Sequence, residues 1–232
     1  MLTYAIGDIH GSYTKLRNLL DHCMAHRGAS DFRLVFLGDY VDRGSRSRDV
    51  VELLIKTQAE APDQIVCLKG NHEAMLLNAA RGGDDSAWLF NGGDTTLASY
   101  GVDRADEILP AHLAWFDALP LVIADERRFF VHAGVRPGVP LQQQSEHDLL
   151  WIREPFLADP RDHGLYVVHG HTPIRARVPE LRRNRLNLDT GAYFGGPLTA
   201  AGFDESSVGP IVFITDDATV VTPPALASLR QA

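Results

Sequence analysis

Cysteine is scarce in this chain, at two residues of 232, too few for a disulfide scaffold. Cys23 and Cys67 stand in apolar surroundings at no metal-ligand spacing, and both are expected as reduced core residues. Long apolar runs are missing too. The longest, 34–37 and 119–124, are strand-sized against the roughly 20 residues a membrane helix needs, so a helical span is not expected. Positive charge is in the minority, with 22 Lys and Arg against 30 Asp and Glu. The formal net charge of -8 argues against a surface built for nucleic-acid phosphates, despite the local cluster Arg182, Arg183 and Arg185. The opening MLTYAIGD has no basic stretch before an apolar run, so no signal or transit peptide is expected and a cytoplasmic location is. No internal repeat, low-complexity tract or Pro/Gly/Ser-rich linker divides the chain.

What is present fits one globular domain, with 45% hydrophobic and 22% charged residues. We expect that domain over 1–222 and a Pro-Ala-rich tail over 223–232. The first half alternates strand candidates at 3–7, 34–37 and 65–68 with helix candidates at 13–25 and 49–59, the grammar of βαβ units. A mostly helical stretch follows over 73–119, with breaks expected at Gly82-Gly83 and Gly92-Gly93. The second half is strand-rich, at 121–123, 128–132, 166–168, 186–188, 198–201, 211–214 and 220–222, and predicts a second sheet packed on the first. The fold class is therefore α/β, two packed mixed sheets flanked by helices, with ligands bound beyond the carboxyl ends of the strands.

Polar residues gather at those strand ends. Asp8 and His10, closed by Gly11, offer a carboxylate and an imidazole, a donor set suited to manganese, iron or zinc. Alone, the pair is equally a capping Asp and a surface His. Asp39, Asp42 and Arg43 place two acids and a guanidinium after a buried strand, where an ordinary surface ion pair would not explain the flanking glycines. Asn71 brings a neutral oxygen beside His72, a group able to move a proton. His132, His169 and His171 end two further strands. A lone strand-end His is more often structural than a ligand, but the set is less easily dismissed.

In order, GDIHG, GDYVDRG, GNHE, HAG and GHT resemble the phosphoprotein phosphatase branch of calcineurin-like metallophosphoesterases, and NGGDTTLASYG, LLWIRE and LDTGAYFGGPLTA look like its compact bacterial and phage forms. The resemblance implies two divalent transition-metal ions, manganese first with iron or zinc as alternatives. It puts Asp8, His10 and Asp39 on one, and Asp39, Asn71, His132 and His171 on the other, with a water or hydroxide between them as nucleophile. It also implies Arg43 and Arg153 as phosphate forks and His72 as general acid, with Asp42 orienting its ring and raising its pKa. Asn71 and Tyr193 complete the expected substrate-binding residues. Tyr193 and Phe194 form either an aromatic lip at the site mouth or a turn with buried rings. His169 has no expected role, and His22, His26, His112, His147 and His163 are expected at the surface or in packing.

The expected activity is hydrolysis of phosphomonoesters on serine or threonine side chains of a phosphorylated protein, with a small phosphoester as the other possible substrate and no nucleic-acid or membrane partner. The rivals are a symmetrical dinucleoside tetraphosphatase, whose motifs look like GDLVARG and GNHD, and, from another class, a binding protein that has lost catalysis. Asp42 and Glu73 favour the protein phosphatase; the complete set of ligands, acid and arginines disfavours the binding protein.

Overall fold

The structure, a computed structural model, describes residues 1–228. Strand β1 (Leu2–Ile6) leads through helix α1 (Tyr13–Arg27) to β2 (Phe32–Phe36), and α2 (Ser47–Glu60) leads to β3 (Ile65–Cys67). The three strands are parallel neighbours, as two successive crossovers require. The helical stretch comprises α3 (Asn71–Ala80), a short α4 (Ser86–Trp88), a wide turn over Leu89–Gly93, α5 (Asp94–Tyr100) and α6 (Pro110–Ala118). Then come β4 (Val122–Ala124), β5 (Arg128–Val131), α7 (Glu146–Trp151), β6 (Tyr166–His169), β7 (Glu180–Leu181), β8 (Arg185–Asn187), β9 (Thr199–Phe203), β10 (Val212–Thr215) and β11 (Val220–Val221).

Among the described residues these strands make a six-stranded sheet ordered β11-β10-β9-β1-β2-β3 and a five-stranded sheet ordered β4-β5-β6-β8-β7, both mixed. The expected second sheet is present, but not every strand of the second half joins it. Strands β9, β10 and β11 cross back, and β9 pairs antiparallel with β1, Tyr4 facing Gly202 and Ala5 facing Ala201. Alternation tells which side of a strand is apolar, not which neighbour it takes. Two smaller differences concern the helical stretch and the tail. Gly92, at φ 102°, kinks the chain without ending the helical turns on either side, whereas Gly82-Gly83 does close α3. Of the expected tail, 229–232 lie outside the described residues, and Leu226 in the turn Leu226–Ser228 packs on the core.

Period-two alternation builds the layers. Tyr4 and Ile6 of β1 and Leu34 and Phe36 of β2 face the helices, with Leu16, Leu19, Val50 and Leu54. Ala5, Val35, Phe203 and Phe213 point the other way and meet Phe130, Tyr166, Val168 and Leu186 of the second sheet. The outer face of that sheet packs Phe129, Val131 and Val167 against Leu149 and Phe156. Both sheets are covered on both faces, which is why the strands read as continuous apolar runs. Cys23 and Cys67 are buried free thiols, as expected. Of the basic cluster, only Arg185 is internal to the fold, buried against Glu180; Arg182 pairs with the same carboxylate from the surface, and Arg183 is exposed. No helix among the described residues is long and apolar enough to cross a membrane.

Candidate active site

Polar loops leave β1, β2 and β3 of one sheet and β5, β6 and β8 of the other, and they meet at a single edge. The first two are stitched together by their backbones: Ile9 and His10 N–H donate to the Asp39 carbonyl at 3.0 and 2.8 Å, and Gly11 N–H to that of Tyr40 at 2.9 Å. Glu73, in the first turn of α3, joins the second loop to the third. One of its oxygens accepts N–H bonds from Asp39 and Gly70, both at 2.9 Å, and the other accepts from Tyr40 at 2.8 Å. A buried carboxylate thus satisfies the donors of a loop that has no strand partner. Gly70 and Gly170 have no side chain because none fits: a Cβ would stand 2.2 Å from Asp39 Oδ1 and 2.0 Å from Asp8 Oδ1, respectively.

The backbone itself is strained here. His10, Asp39, Asp42, Arg43 and His171 all have positive φ, between 44° and 72°, a conformation that costs a side-chain-bearing residue on the order of 1–3 kcal/mol. Among the described residues only Arg177 and Ala218 share it outside glycine.

Two groups of metal-capable side chains result, His10–Asp39–His72 and Asp39–His132–His171, sharing Asp39. His10 Nε2 lies 3.4 Å from Asp39 Oδ2, and His132 Nε2 lies 3.3 Å from Oδ1. Asn71 Oδ1 stands 2.8 Å from His132 Nε2 and 2.9 Å from His171 Nδ1. The Nδ1–H groups of His10 and His132 donate to the carbonyls of Val41 and Leu37, both at 2.8 Å, so each Nε2 presents a lone pair to the site. Asp8, expected beside His10, lies outside these triplets; both its oxygens accept the His171 N–H at 3.1 Å, and it feels the charge of Asp39. His169 is turned away against Phe156, with ring centroids 5.0 Å apart.

Electrostatics make the convergence costly. Burial, with repulsion from Asp189 and Asp39, pushes Asp8 well above the usual carboxylate range, and burial with repulsion from Glu73 does the same to Asp39. Burial brings His132 down to about 3 and His171 to about 2, so both rings are neutral. Neutral imidazole lone pairs and carboxyl oxygens therefore face one another across Asp39, a donor set that divalent cations fit. The Nε2 of His171 and Oδ2 of Asp189 are buried without a hydrogen-bond partner among the described residues.

His72 Nδ1 and Asp42 Oδ2 are 2.6 Å apart, the pairing expected for an oriented ring. Asp42 is fixed in turn by Trp88 Nε1, 3.0 Å from each oxygen, and by the Thr96 hydroxyl at 2.6 Å. The expected raising of the His72 pKa is corrected. Burial and then the Arg43 charge lower it, while burial lifts Asp42 to about 7 and so weakens the anion that was to hold the imidazolium. Arg43 Nη1 donates to His10 Nε2 at 2.8 Å, and the guanidinium carbon lies 4.7 Å over the Tyr193 ring. Tyr193 also meets His10 edge-on at 5.1 Å, and it and Phe194 are each 38% exposed, a lip rather than a buried turn. Arg153, exposed just beyond α7, projects its charge onto His171, His132 and Asp189. The sequence pattern did not single out Asp189, Trp88 or Thr96, whose roles depend on contacts across the fold.

Residues 1–205 match the calcineurin-like phosphoesterase family. The chain is 33% identical over 210 residues to serine/threonine-protein phosphatase 1 of Salmonella typhimurium, covering 85% of this chain and 90% of that one. It is 27% identical over 232 residues to an asymmetrical bis(5'-nucleosyl)-tetraphosphatase of Bacillus thuringiensis, covering 86% and 89%. Among solved structures, a serine/threonine phosphatase from Saccharomyces cerevisiae superposes with a TM-score of 0.56 at 18% identity, over 87% of this chain and 72% of that one. The last likeness bears on the fold alone.

Glu73→Ala strips partners from buried N–H groups in two loops, so we predict a stability loss on the order of 3 kcal/mol in urea unfolding of the metal-free protein. Manganese titration should show weaker uptake as well. An unchanged unfolding midpoint would remove Glu73 as the tie between the loops.

Proposed function

This chain belongs to the calcineurin-like phosphoesterase family and is a phosphatase, and within that family we propose that it is a metal-dependent serine/threonine protein phosphatase. The observation that carries the proposal is the Asp42–His72 contact of 2.6 Å at the edge of the site. A serine or threonine alkoxide is a poor leaving group and needs a proton as the P–O bond breaks, whereas the phosphate leaving group of an anhydride does not. With Asp42 protonated, its proton lies against Nδ1 and the ring hydrogen sits on Nε2, facing Asp39. Delivery of the Nε2 proton to the leaving oxygen is then matched by transfer from Asp42 to Nδ1. Trp88 and Thr96 hold the carboxyl group in line throughout.

Asp8, His10, Asp39, Asn71, His132 and His171 are the residues that would hold two divalent ions, manganese being the pair we favour. Such ions would supply Lewis acidity and activate water. Arg43 on the His10 side and Arg153 on the His171 side would hold the phosphate oxygens through planar donors. A second activity, cleavage of dinucleoside polyphosphates, is favoured by the tetraphosphatase relative, which is of the asymmetrical type rather than the symmetrical one considered from sequence. The test is a comparison of kcat/KM for a phosphothreonine peptide and for a dinucleoside tetraphosphate. We predict a preference for the peptide; a preference for the tetraphosphate would overturn the protein-phosphatase assignment.

Replacing His72 by Asn should lower turnover by about two to four powers of ten on an alkyl phosphate while metal content stays at the parent level. The loss should shrink for p-nitrophenyl phosphate, whose leaving group needs little protonation, and an equal loss on both substrates contradicts the proton-donor role. Asp39→Asn should weaken binding of both ions, measured as manganese per chain after gel filtration. Parent-level stoichiometry would exclude the bridging assignment.

A further inference from the structure

The aromatic lip is held by cations from behind. Lys15, half-buried in the first turns of α1, donates through Nζ to the carbonyls of Ala192 at 2.8 Å and Gly196 at 2.5 Å. Those carbonyls flank Tyr193 and Phe194. Arg177 donates to two of the three between them, Gly195 at 3.1 Å and Phe194 at 3.3 Å. Ala192 is packed in the core, but beyond it a cavity of about 570 Å³ lined by Lys15, Arg177, Gly195, Gly196, Phe213 and Pro224 lies behind the turn. On the front, Tyr193 supports the guanidinium of Arg43 and touches the edge of His10.

We propose that Lys15 is a positioning residue of the phosphatase, which sets the phosphate-binding orientation of Arg43 by clamping the turn that carries Tyr193. The inference rests on the assignment of Arg43 as a phosphate fork. Lys15 itself touches neither substrate nor the metal-capable groups. Without the clamp the turn can settle into the cavity, Tyr193 leaves the guanidinium face, and Arg43 samples rotamers that aim its donors elsewhere. The first quantity to suffer is therefore phosphate affinity.

Lys15→Met, Tyr193→Ala, the double variant and Arg43→Ala are compared on p-nitrophenyl phosphate, with inhibition by inorganic phosphate and manganese per chain measured in parallel. Lys15→Met should raise KM and the phosphate inhibition constant roughly three- to thirtyfold, the range of a lost cation–π support, with kcat within about threefold and metal content unchanged. The double variant should be no worse than Tyr193→Ala, because Lys15 acts through that ring. Lys15→Arg, which keeps a cation able to reach both carbonyls, should fall between parent and Lys15→Met. Chymotrypsin should cut the Lys15→Met protein faster than the parent after Tyr193 or Phe194, a readout independent of catalysis. Parent-like KM and proteolysis in Lys15→Met, or additive losses in the double variant, would overturn the proposal. If Arg43→Ala itself leaves phosphate inhibition unchanged, the fault lies with the role of Arg43 instead.

Discussion

A carboxylate shared between two sets of neutral lone pairs is the constraint around which this molecule is arranged. Asp39 reaches His10 with one oxygen and His132 with the other, while its own N–H is held by Glu73. Each of these groups is buried, and burial drives every one of the histidines and acids at this centre toward its uncharged form. A protein would gain stability by replacing such a set with apolar residues. Its retention makes sense when cations complete the charge balance, and the backbone strain at His10, Asp39, Asp42, Arg43 and His171 is of the same kind: local cost accepted at a site that the rest of the fold over-determines.

The over-determination comes from the packed sheets. Parallel strands β1, β2 and β3 in one layer and β5, β6 and β8 in the other deliver their loops to a common edge, and the core between them, with Val35, Phe130, Val168, Leu186 and Phe203 among its members, fixes how far apart those loops lie. Hydrogen bonds then close the gap: the His132 ring reaches the Leu37 carbonyl in the other sheet, and the His171 N–H reaches Asp8. The Asp42–His72 pair is built differently. Asp42 is held from the helical side, by Trp88 of α4 and Thr96 of α5, so the helical stretch between β3 and β4 is part of the site's support.

Much of this was legible in the sequence because strand-end motifs combine local signals: an apolar run, a glycine, then a ligand type. Those motifs carry the family resemblance, and it is the resemblance that implies Asp8, His10, Asp39, Asn71, His132 and His171 as a set, with His171 rather than His169 among them. What the sequence hid depends on distance along the chain. Alternation gave β9, β10 and β11 as strands but not as members of the first sheet. Glu73 read as a motif letter, and its work as an acceptor for Asp39 and Tyr40 needs coordinates. The pKa direction of His72 is set by burial of both it and Asp42, which the proximity of the two in the motifs does not convey. Lys15 lies 177 and 181 residues from the two carbonyls it binds, with no pattern to announce the pairing.

Anomalous diffraction from crystals of the parent protein soaked in manganese tests the central claim most directly. Two peaks sharing Asp39 are expected, one beside His10 and Asp8, the other among Asn71, His132 and His171. A single peak, or a pair of peaks not bridged by Asp39, would contradict it.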